Sequence, residues 1–508
     1  MTVAPGGALG GQGTVKDLTL QESSTLLVGP TPLVSTLGAD AISTGTGVGV
    51  LVLSPSSTPG SHTVDVLDYG TDPGGLIPDP ANFNTTTYRS ASFADDSANH
   101  RITLSYTSDS LTWNTTDGTW DVATTASWLE NDNVFYQGDA VTFGNPAAAS
   151  TVTLTGALAP SSITLNHTNN YLFGGTGSIV GGSLAKSGTG TLVMTNANSY
   201  AGGTTINGGM ISRSSTATAS GGNPGALGTG PVTINTSGTL KLWVSTTATT
   251  AYVNPITLNG GKLLGEDGVN VISGPVTVGA SGGTVSAKWN NKNLVFANTV
   301  SGTGKLTVQR ETPSGETGAA VYLTTANTYS GGTDLFSGFI RVANSDQALG
   351  TGPLTFTGSS TLATAYLGGN RSLANDMVIN TGVTASFDCG FFPLTLTGNL
   401  SGAGTLALAS SGTLSLSGNN NYSGGTNINS TGSIRVDSSG ALGSTGTISF
   451  GGGTLQHSGA NTTDYSARFS TAANQACKVD TNGQNVTWAS ALTSTGGSVT
   501  KTGAGTLT

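Results

Sequence analysis

Short stretches of alternating apolar and polar residues run along the chain, and glycine-rich turns separate them. The pattern is clearest in GTLVMTNANSYAGGTTI, from Gly190 to Ile206. Its residues Leu192 and Met194 stand two positions apart, so both side chains point to one side of an extended strand. An Asn-x-Tyr motif, a glycine pair and a second apolar residue follow, which predicts strand, turn and strand. Helix-favouring Glu, Lys and Gln are scarce, so local propensity also predicts an all-β chain.

The stretch recurs, which makes this a repeat sequence. It returns as AAVYLTTANTYSGGTDL from Ala319 to Leu335 and as GTLSLSGNNNYSGGTNI from Gly412 to Ile428. A phrase Ser/Thr-Gly-x-Gly-x-Leu occurs four times, and its second glycines lie 114, 100 and 101 residues apart. An Ala-Leu-Gly phrase follows each tyrosine, at 226–228, 348–350 and 441–443. The repeat unit is therefore about 100 residues long.

A unit of this length holds several coils of a solenoid, because one coil takes roughly 20 to 25 residues. A β-propeller is the alternative all-β repeat fold, but its blades recur at about 40 to 50 residues and close into a ring. The spacing between repeats varies from copy to copy, which fits an open stack of coils better than a closed ring of blades. We therefore predict a parallel β-helix, or β-solenoid, of roughly 23 coils.

The repeated residues are expected to be scaffold, because a residue that recurs in every module is one that the stack requires. The alternating leucines, such as Leu414 and Leu416, would point into the interior. Glycine pairs supply backbone angles that a side chain forbids at a corner. The repeated asparagines would bond turn backbone or stack as ladders, and the tyrosine hydroxyls would be hydrated or paired.

Three parts of the chain are expected. Residues 1–110 form an irregular, strand-rich region that begins inside a repeat, residues 111–150 a tryptophan-rich junction, and residues 151–508 a β-helix with repeats of about 100 residues. Both ends of the sequence cut through a repeat, so we expect an uncapped fragment of a longer protein.

Local composition refines this division. Trp113, Trp120 and Trp128 fall within sixteen residues, which is most simply explained as a local ring cluster that holds a junction between two stretches of sheet. The Pro/Asp/Gly-rich stretch Asp72–Pro80 and the Ser/Thr/Gly-rich stretch Ser214–Gly222 are expected to be surface loops.

Composition and charge exclude several kinds of partner. Only 8% of residues are charged, the net charge is −9, and no Lys/Arg cluster is present. Nucleic acid and anionic membranes are therefore poor partners. The sequence start lacks the features of a signal peptide, and the longest apolar run, Val48–Leu53, is too short to cross a bilayer. Disorder is disfavoured because Val, Ile and Leu recur on a two-residue period.

Candidate chemistry is sparse. Cys389 and Cys477 stand 88 residues apart, and two buried thiols are favoured over a disulfide. The histidines show no metal-ligand spacing and are expected at the surface. They are His62, His100, His167 and His457.

Two sets of charged residues are candidate sites. Asp117, Asp121 and Asp139 flank the tryptophans and offer oxygen ligands for calcium, but carboxylates of solvated turns are the favoured interpretation. Arg341 and Arg435 occupy matching positions in two copies, with Asp346 and Asp437 nearby, and structural ion pairs account for them as well as a catalytic role does. We therefore expect no catalytic, cofactor-binding or metal-ligating residues.

The repeat resembles the autotransporter-associated β-strand repeat, also called the passenger-associated transport repeat, of very large bacterial surface proteins. The resemblance rests on Gly-Thr-Leu-x-Met-x-x-x-Asn-x-Tyr-x-Gly-Gly-Thr-x-Ile and on the Trp113-to-Asp139 segment, and it covers roughly residues 111–508, with a weaker echo in 8–110. It implies a right-handed parallel β-helix passenger, exported through the envelope and displayed outside as a stalk or adhesin. The translocator barrel and signal peptide of such proteins are not in this sequence.

We therefore expect a non-catalytic, extracellular bacterial surface passenger without cofactors and without membrane insertion by this segment. Its candidate partners are host or environmental glycans or neighbouring surface proteins. The alternative is a carbohydrate-active enzyme, a polysaccharide lyase or hydrolase, because parallel β-helices also carry such sites. A stalk predicts a uniform Thr/Ser/Asn exterior, an adhesin an exposed aromatic or grooved patch, and an enzyme a carboxylate cluster in a cleft.

Overall fold

The chain folds as a parallel β-solenoid of about 19 turns, and only about 1% of it is helical. This computed structural model describes residues 1–10, 18–29, 33–34, 42–69, 79–130, 132–146, 148–213, 225–243, 249–288, 292–311, 319–366, 368–390 and 392–508. The predicted loop Ser214–Gly222 lies outside the described residues, as does most of Asp72–Pro80. The chain divides into two compact units, Met1–Leu240 and Lys241–Thr508. The all-β, parallel solenoid prediction is confirmed, and the handedness of its winding stays a prediction.

Short strands make up the first unit. They are β1 (Thr2–Val3), β2 (Ala8–Gly10), β3 (Leu18–Leu20), β4 (Thr25–Val28), β5 (Leu33–Val34), β6 (Ile42–Thr44), β7 (Gly49–Val52), β8 (Gly60–Asp68), β9 (Arg89–Asp96), β10 (Arg101–Ser108), β11 (Ser110–Thr112), β12 (Gly118–Trp120), β13 (Ala140–Phe143), β14 (Ser150–Leu154), β15 (Ala157–Leu158), β16 (Ser162–Asn166), β17 (Tyr171–Gly175), β18 (Ser178–Ile179), β19 (Leu184–Ser187), β20 (Thr191–Met194), β21 (Thr204–Ile206), β22 (Gly209–Arg213) and β23 (Val232–Asn235). A single 3₁₀ turn, Pro80–Asn82, precedes β9.

The pattern continues from Gly238 onward. The strands are β24 (Gly238–Trp243), β25 (Thr249–Tyr252), β26 (Ile256–Asn259), β27 (Lys262–Glu266), β28 (Val269–Ile272), β29 (Val276–Val278), β30 (Gly283–Lys288), β31 (Asn293–Phe296), β32 (Val300–Gly302), β33 (Leu306–Glu311), β34 (Ala320–Leu323), β35 (Thr333–Leu335), β36 (Phe339–Val342), β37 (Leu354–Phe356), β38 (Ser360–Thr364), β39 (Arg371–Leu373), β40 (Met377–Ile379), β41 (Thr384–Asp388), β42 (Leu394–Leu396), β43 (Leu400–Ser401), β44 (Thr405–Leu408), β45 (Thr413–Leu416), β46 (Thr426–Ile428), β47 (Ser433–Val436), β48 (Ile448–Phe450), β49 (Thr454–Gln456), β50 (Ala476–Asp480) and β51 (Ser498–Thr502). A second 3₁₀ turn covers Ser466–Arg468. No helix of the described residues is long and apolar enough to cross a membrane.

The N-terminal part of the first unit mixes two kinds of sheet. Strands β1, β3 and β6 form one small parallel sheet, and β2, β4 and β7 form another. Strands β8, β10 and β9 pair antiparallel, with Leu104 opposite both Val64 and Phe93. Strands β8 and β10 include Thr63–Leu67 and Arg101–Tyr106, where apolar and polar residues alternate along the sequence. The meander accounts for part of the difference from the predicted number of turns, because residues 60–108 add no solenoid coil.

From β11 onward each turn stacks on the previous one. In the first unit one parallel sheet runs β11-β13-β16-β19-β21-β23 and another β12-β14-β17-β20-β22. In the second unit the sheets run β25-β28-β31-β34-β36-β38-β41-β44-β46-β48 and β39-β42-β45-β47-β49-β50-β51, with β27-β30-β33-β35-β37-β40-β43 as a third. The advance per turn varies, from 19 residues between Thr191 and Met210 to 34 between Gly118 and Val152. This variation explains the drifting sequence period.

The core is a set of aliphatic stacks inside the coils. Leu414 pairs in register with Leu394 on one side and Ile434 on the other, and all three are fully buried. Each such side chain contributes about 1.5 to 3 kcal/mol when it leaves water. Leu416 is buried as well, so both leucines face inward as predicted. Cys389 and Cys477 are buried free thiols, which agrees with the interpretation favoured from sequence.

Candidate functional site

The repeated asparagine bridges three successive turns. The Oδ1 atom of Asn420 accepts a hydrogen bond from the Leu400 N–H, 20 residues earlier, at 2.8 Å. Its Nδ2 atom donates to the Ala441 carbonyl, 21 residues later, at 2.6 Å. The other copies make the same pair of bonds: Asn198 with Ile179 and Ala226, and Asn327 with Val300 and Ala348. Of the two sequence expectations for these asparagines, turn-backbone bonding is the one the structure confirms.

The repeated tyrosine is paired rather than hydrated. The Tyr422 hydroxyl lies 2.6 Å from Oγ1 of Thr426, and both side chains are fully buried. Burial raises the pKa of Tyr422 to about 12, although the hydrogen bond with Thr426 acts in the opposite direction. The equivalent pairs are Tyr200 with Thr204 and Tyr329 with Thr333.

Two glycines of each copy are required by the backbone. Gly332, the second of its pair, has φ +80°, and a Cβ there would lie 2.6 Å from the Pro353 carbonyl oxygen. Gly350, in the Ala-Leu-Gly phrase, has φ +68°, and its Cβ would lie 2.4 Å from the Tyr329 carbonyl oxygen. A residue with a side chain would be strained by the positive φ at either position, and its Cβ would clash with the carbonyl oxygen. We call the Asn, Tyr and Thr of one copy, with the Ala-Leu-Gly of the next turn, a turn clamp.

The third turn clamp has an extra support. The Arg468 guanidinium donates to the carbonyls of Leu442 and Gly443, each at 2.8 Å, and of Gly446 at 2.9 Å. It also bonds the Thr445 carbonyl. Pro231 and Pro353 stand before the next strand in the first two copies, where the third has Thr447. Arginine thus satisfies loop carbonyls in the copy that lacks the proline.

The tryptophans of the junction form one cluster, as predicted. The rings of Trp113 and Trp128 are edge-on with centroids 5.2 Å apart, and those of Trp120 and Trp128 are 5.6 Å apart. Phe143 contacts all three rings, and Phe173 of the next turn adds another. The cluster fills the coil at which two solenoid sheets begin.

A buried ion pair joins the antiparallel meander to this junction. Arg89 lies 3.0 Å from Asp139 and 2.9 Å from Asp132, and its guanidinium stands over the Tyr136 ring. Asp139 is fully buried and also accepts the N–H groups of Asp109 and Tyr136, at 2.8 and 2.9 Å. Burial raises the pKa of Asp139, and these bonds partly oppose that rise. Sequence inspection missed Arg89, because its partner lies 50 positions away.

The three junction aspartates do not converge. Asp121 accepts the N–H and the hydroxyl of Thr125, at 2.9 and 2.6 Å, and Asp117 accepts the Thr151 N–H at 2.6 Å. The Asp139 carboxylate forms its ion pair with Arg89. Within the described part of the chain, no group of three or more His, Cys, Asp and Glu side chains is placed to hold a metal ion.

The surface expectation was wrong for two histidines. His167 and His457 are 1% and 0% exposed. Each ring fits because its Nδ1 atom bonds a carbonyl within the same turn, that of Asn169 or Asn461. Burial lowers the pKa of both rings, so the neutral form is favoured inside the fold. His62 and His100 are partly exposed.

The arginine–aspartate pairs are structural in geometry. Arg435 lies 2.9 Å from Asp437, which matches the sequence expectation. Arg341, however, faces Asp388 at 4.0 Å, while Asp346 pairs with Arg371 at 3.4 Å. The two copies therefore do not repeat one constellation.

A charged network that the sequence did not suggest lies across the outer face of the second unit. The Glu266 carboxylate bonds the ammonium groups of Lys241 and Lys288, at 2.8 and 2.5 Å. Lys262 bonds Glu311 in the same way, and Gln309 adds a hydrogen bond to it. Burial acts to raise the pKa of Glu266, but the two lysines outweigh it and lower the pKa overall.

One lysine lies inside the solenoid. Lys186 is fully buried, and its Nζ atom donates to the carbonyls of Ser187, Gly188 and Gly208, at 2.6, 3.2 and 3.3 Å. Burial lowers its pKa to about 8. Backbone carbonyls thus take the place of an acidic partner.

The outer faces carry threonines in register in both units, as with Thr257 and Thr277 in the second, and the second unit adds an aromatic patch. In the first, a column of outward threonines follows the strands in register, interrupted by Ala185: Thr142, Thr164, Thr205 and Thr233. In the second, Tyr322 lies in register between Val295 and Arg341, and the Arg341 guanidinium stands 5.5 Å from the Phe339 ring centre. Tyr322, Phe339 and Arg341 thus form a small aromatic patch on this face.

Stacked coils held by turn clamps define a β-solenoid repeat protein. Three stretches match the family described as Passenger-associated-transport-repeat, at residues 184–212, 320–340 and 409–436, which confirms the repeat resemblance at those places. Each match includes strands of a clamp-bearing copy. No curated protein matched the chain.

Proposed function

We propose that this chain is a non-catalytic scaffold segment of a passenger displayed outside the cell. The passenger-associated repeats and the solenoid fold support export and display. One observation carries the scaffold role: the polar side chains that recur in all three copies are buried and satisfied within the turn clamps. Asn420, for example, uses both its amide oxygen and its amide nitrogen in hydrogen bonds with the backbone of the neighbouring turns. Such residues hold the coils together, and they have no hydrogen-bonding group left to bind a ligand.

The acidic residues support a non-catalytic role. A glycosidase or lyase needs two carboxylates, or carboxylate-bound calcium, arranged around one bond of the substrate. Here Asp437, Asp388 and Asp346 each face an arginine. Asp117 and Asp121 bond turn N–H groups instead.

An adhesive role is the second candidate, and the aromatic patch of the second unit favours it. Tyr322 and Phe339 are only partly buried and share their face with Arg341. Aromatic and arginine side chains are the types enriched where proteins bind partners.

Surface labelling tests the display proposal. A short epitope inserted after the exposed residue Ala473 would be probed with antibody on intact cells that express the protein. We expect labelling without permeabilisation, and we expect it to disappear when protease is added outside. Labelling that requires permeabilised cells would contradict the proposal. A matched insertion after the exposed residue Thr236 controls for local effects of the tag.

A further inference from the structure

One outer face of the first unit is a regular array of hydroxyl groups. It belongs to the parallel sheet that runs β11-β13-β16-β19-β21-β23. Alternate residues of these strands, such as Ile163 and Ile206, are buried, so the residues between them point outward. The central outward residue is Ala185 on β19 and a threonine on each of the other strands. We call these threonines the threonine column: Thr112, Thr142, Thr164, Thr205 and Thr233.

The hydroxyls of the threonine column are open to water. Thr142 and Thr164 are exposed, and Thr205 and Thr233 are partly exposed. Within the part of the chain that the structure describes, none of these four hydroxyls bonds a protein group. Thr195, elsewhere in the same unit, instead donates its hydroxyl to the Phe173 carbonyl. The threonine column therefore presents its hydroxyls to solvent.

A column of amides runs beside the threonines, two residues further along the chain in each turn. Asn166 pairs in register with Ser187 of the next turn. The Nδ2 atom of Asn235 donates to Oδ1 of Asn207, one turn earlier, at 2.8 Å. This bond aligns the two amides along the stack. The face thus repeats a Thr-x-Asn pair at 164–166, 205–207 and 233–235.

The composition of the face argues against several other ligands. Among the residues of β13, β16, β19, β21 and β23, Lys186 is the only charged one and Phe143 the only aromatic one. Both side chains are buried on the inner side. A charged ligand would therefore meet no counter-charge on these strands, and a sugar ring would meet no aromatic ring on which to stack.

The backbone fixes the spacing of the array. Neighbouring parallel strands lie about 4.8 Å apart, and residues two positions apart on one strand lie about 6.6 Å apart. Oxygen atoms repeat at comparable distances along the crystal planes of ice. Because threonine is β-branched, its χ1 angle is restricted, and its hydroxyl and methyl groups are held in place. An array ordered in advance loses little entropy when it binds an ordered lattice.

We propose that this face binds the surface of ice crystals. Water molecules bonded to the threonine hydroxyls and the asparagine amides join the crystal lattice, and the threonine methyl groups occupy the spaces between them. This activity goes beyond the scaffold role, because the turn clamps hold the coils together without it.

The test measures how the purified whole chain distributes between ice and liquid while ice grows slowly on a cold surface. We expect enrichment of the chain in the ice and a gap between the melting and freezing temperatures of the solution. Thr164→Tyr/Thr205→Tyr places two bulky rings in the threonine column, and it should abolish both effects. The matched control is Thr151→Tyr/Thr153→Tyr, at two exposed positions of β14 in the other sheet of the unit, and it should retain them.

A gain-of-function variant keeps the proposal falsifiable if the tyrosine variant folds poorly. Ala185→Thr fills the gap in the threonine column, and we expect it to widen the gap between melting and freezing temperatures. The proposal is overturned if the unmodified chain is excluded from ice, or if the β14 control loses enrichment as fully as the column variant. Binding to microcrystalline cellulose without enrichment in ice would also overturn it, because the ligand would then be a polysaccharide.

Discussion

The hydroxyl of Tyr329 lies 2.7 Å from Oγ1 of Thr333, four residues later, and both groups are shielded from solvent. The Tyr ring sits under the Ala-Leu-Gly of the next turn, where Gly350 leaves no room for a side chain. Each hydroxyl would be an unpaired buried group without the other. The Tyr-x-Gly-Gly-Thr spacing is therefore a requirement of the fold.

Removal of one hydroxyl should destabilise this turn. We expect Tyr329→Phe to cost about 1 to 2 kcal/mol in the free energy of unfolding, because it leaves Thr333 unpaired. The double variant Tyr329→Phe/Thr333→Val should recover part of that loss. Denaturant unfolding of the four proteins of this cycle measures the coupling. A coupling of zero would mean that the pair contributes no net stability.

Asn420 should protect two neighbouring turns at once. We expect Asn420→Ala to orphan the Leu400 N–H and the Ala441 carbonyl, at a cost of about 2 to 4 kcal/mol. Hydrogen exchange of the Leu400 amide should then accelerate strongly, while Asn427→Ala leaves it unchanged. Equal protection of Leu400 in both variants would show that the Asn bridge is not what holds the turns together.

Loss of the buried aspartate of the junction ion pair should destabilise the fold far more than loss of the exposed aspartate. We expect Asp139→Ala to cost about 3 to 5 kcal/mol, because Arg89 and two N–H groups lose their acceptor. Asp132→Ala removes the exposed partner of the same arginine, and it should cost less than about 1 kcal/mol. Denaturant unfolding followed by tryptophan fluorescence compares the two. Similar costs for both would contradict the assigned importance of burial.

His457 should make the second unit sensitive to acid. Its pKa in the folded chain lies below the ordinary value of 6.5, because of burial, although Asn461 and Asp480 act to raise it. As the pH falls through about 6.5, the unfolded chain takes up the proton first, so the free energy of unfolding decreases. We expect His457→Gln to reduce this loss between pH 7 and about 5. An unchanged pH profile of unfolding would refute the assignment.

Local sequence patterns predicted the fold well because solenoid contacts repeat. Two-residue alternation predicted the inward-facing Leu414 and Leu416, and the recurring phrase predicted the glycine corners. For the tyrosine hydroxyls it left hydration and pairing both open. The number of turns was overestimated because the antiparallel meander of β8, β9 and β10 interrupts the stack and because several turns take 27 to 34 residues.

Long-range side-chain pairs could not be predicted in the same way. The contact of Arg89 with Asp139, and that of Lys262 with Glu311, depends on which turns become neighbours. Lys186 and His457 are buried because carbonyls of the folded backbone bond their side chains, and no sequence pattern predicts those bonds.

Engineered disulfides test the parallel stacking most directly. Thr413 pairs in register with Ser433, and Ser433 pairs with Thr454. Neighbouring parallel strands lie about 4.8 Å apart, which suits a disulfide. In a background with Cys389→Ala and Cys477→Ala, we expect Thr413→Cys/Ser433→Cys to oxidise rapidly and quantitatively. The matched pair Thr413→Cys/Thr454→Cys spans two turns and should stay reduced. Failure of the first pair to close, or equal closure of both, would contradict the stacked solenoid.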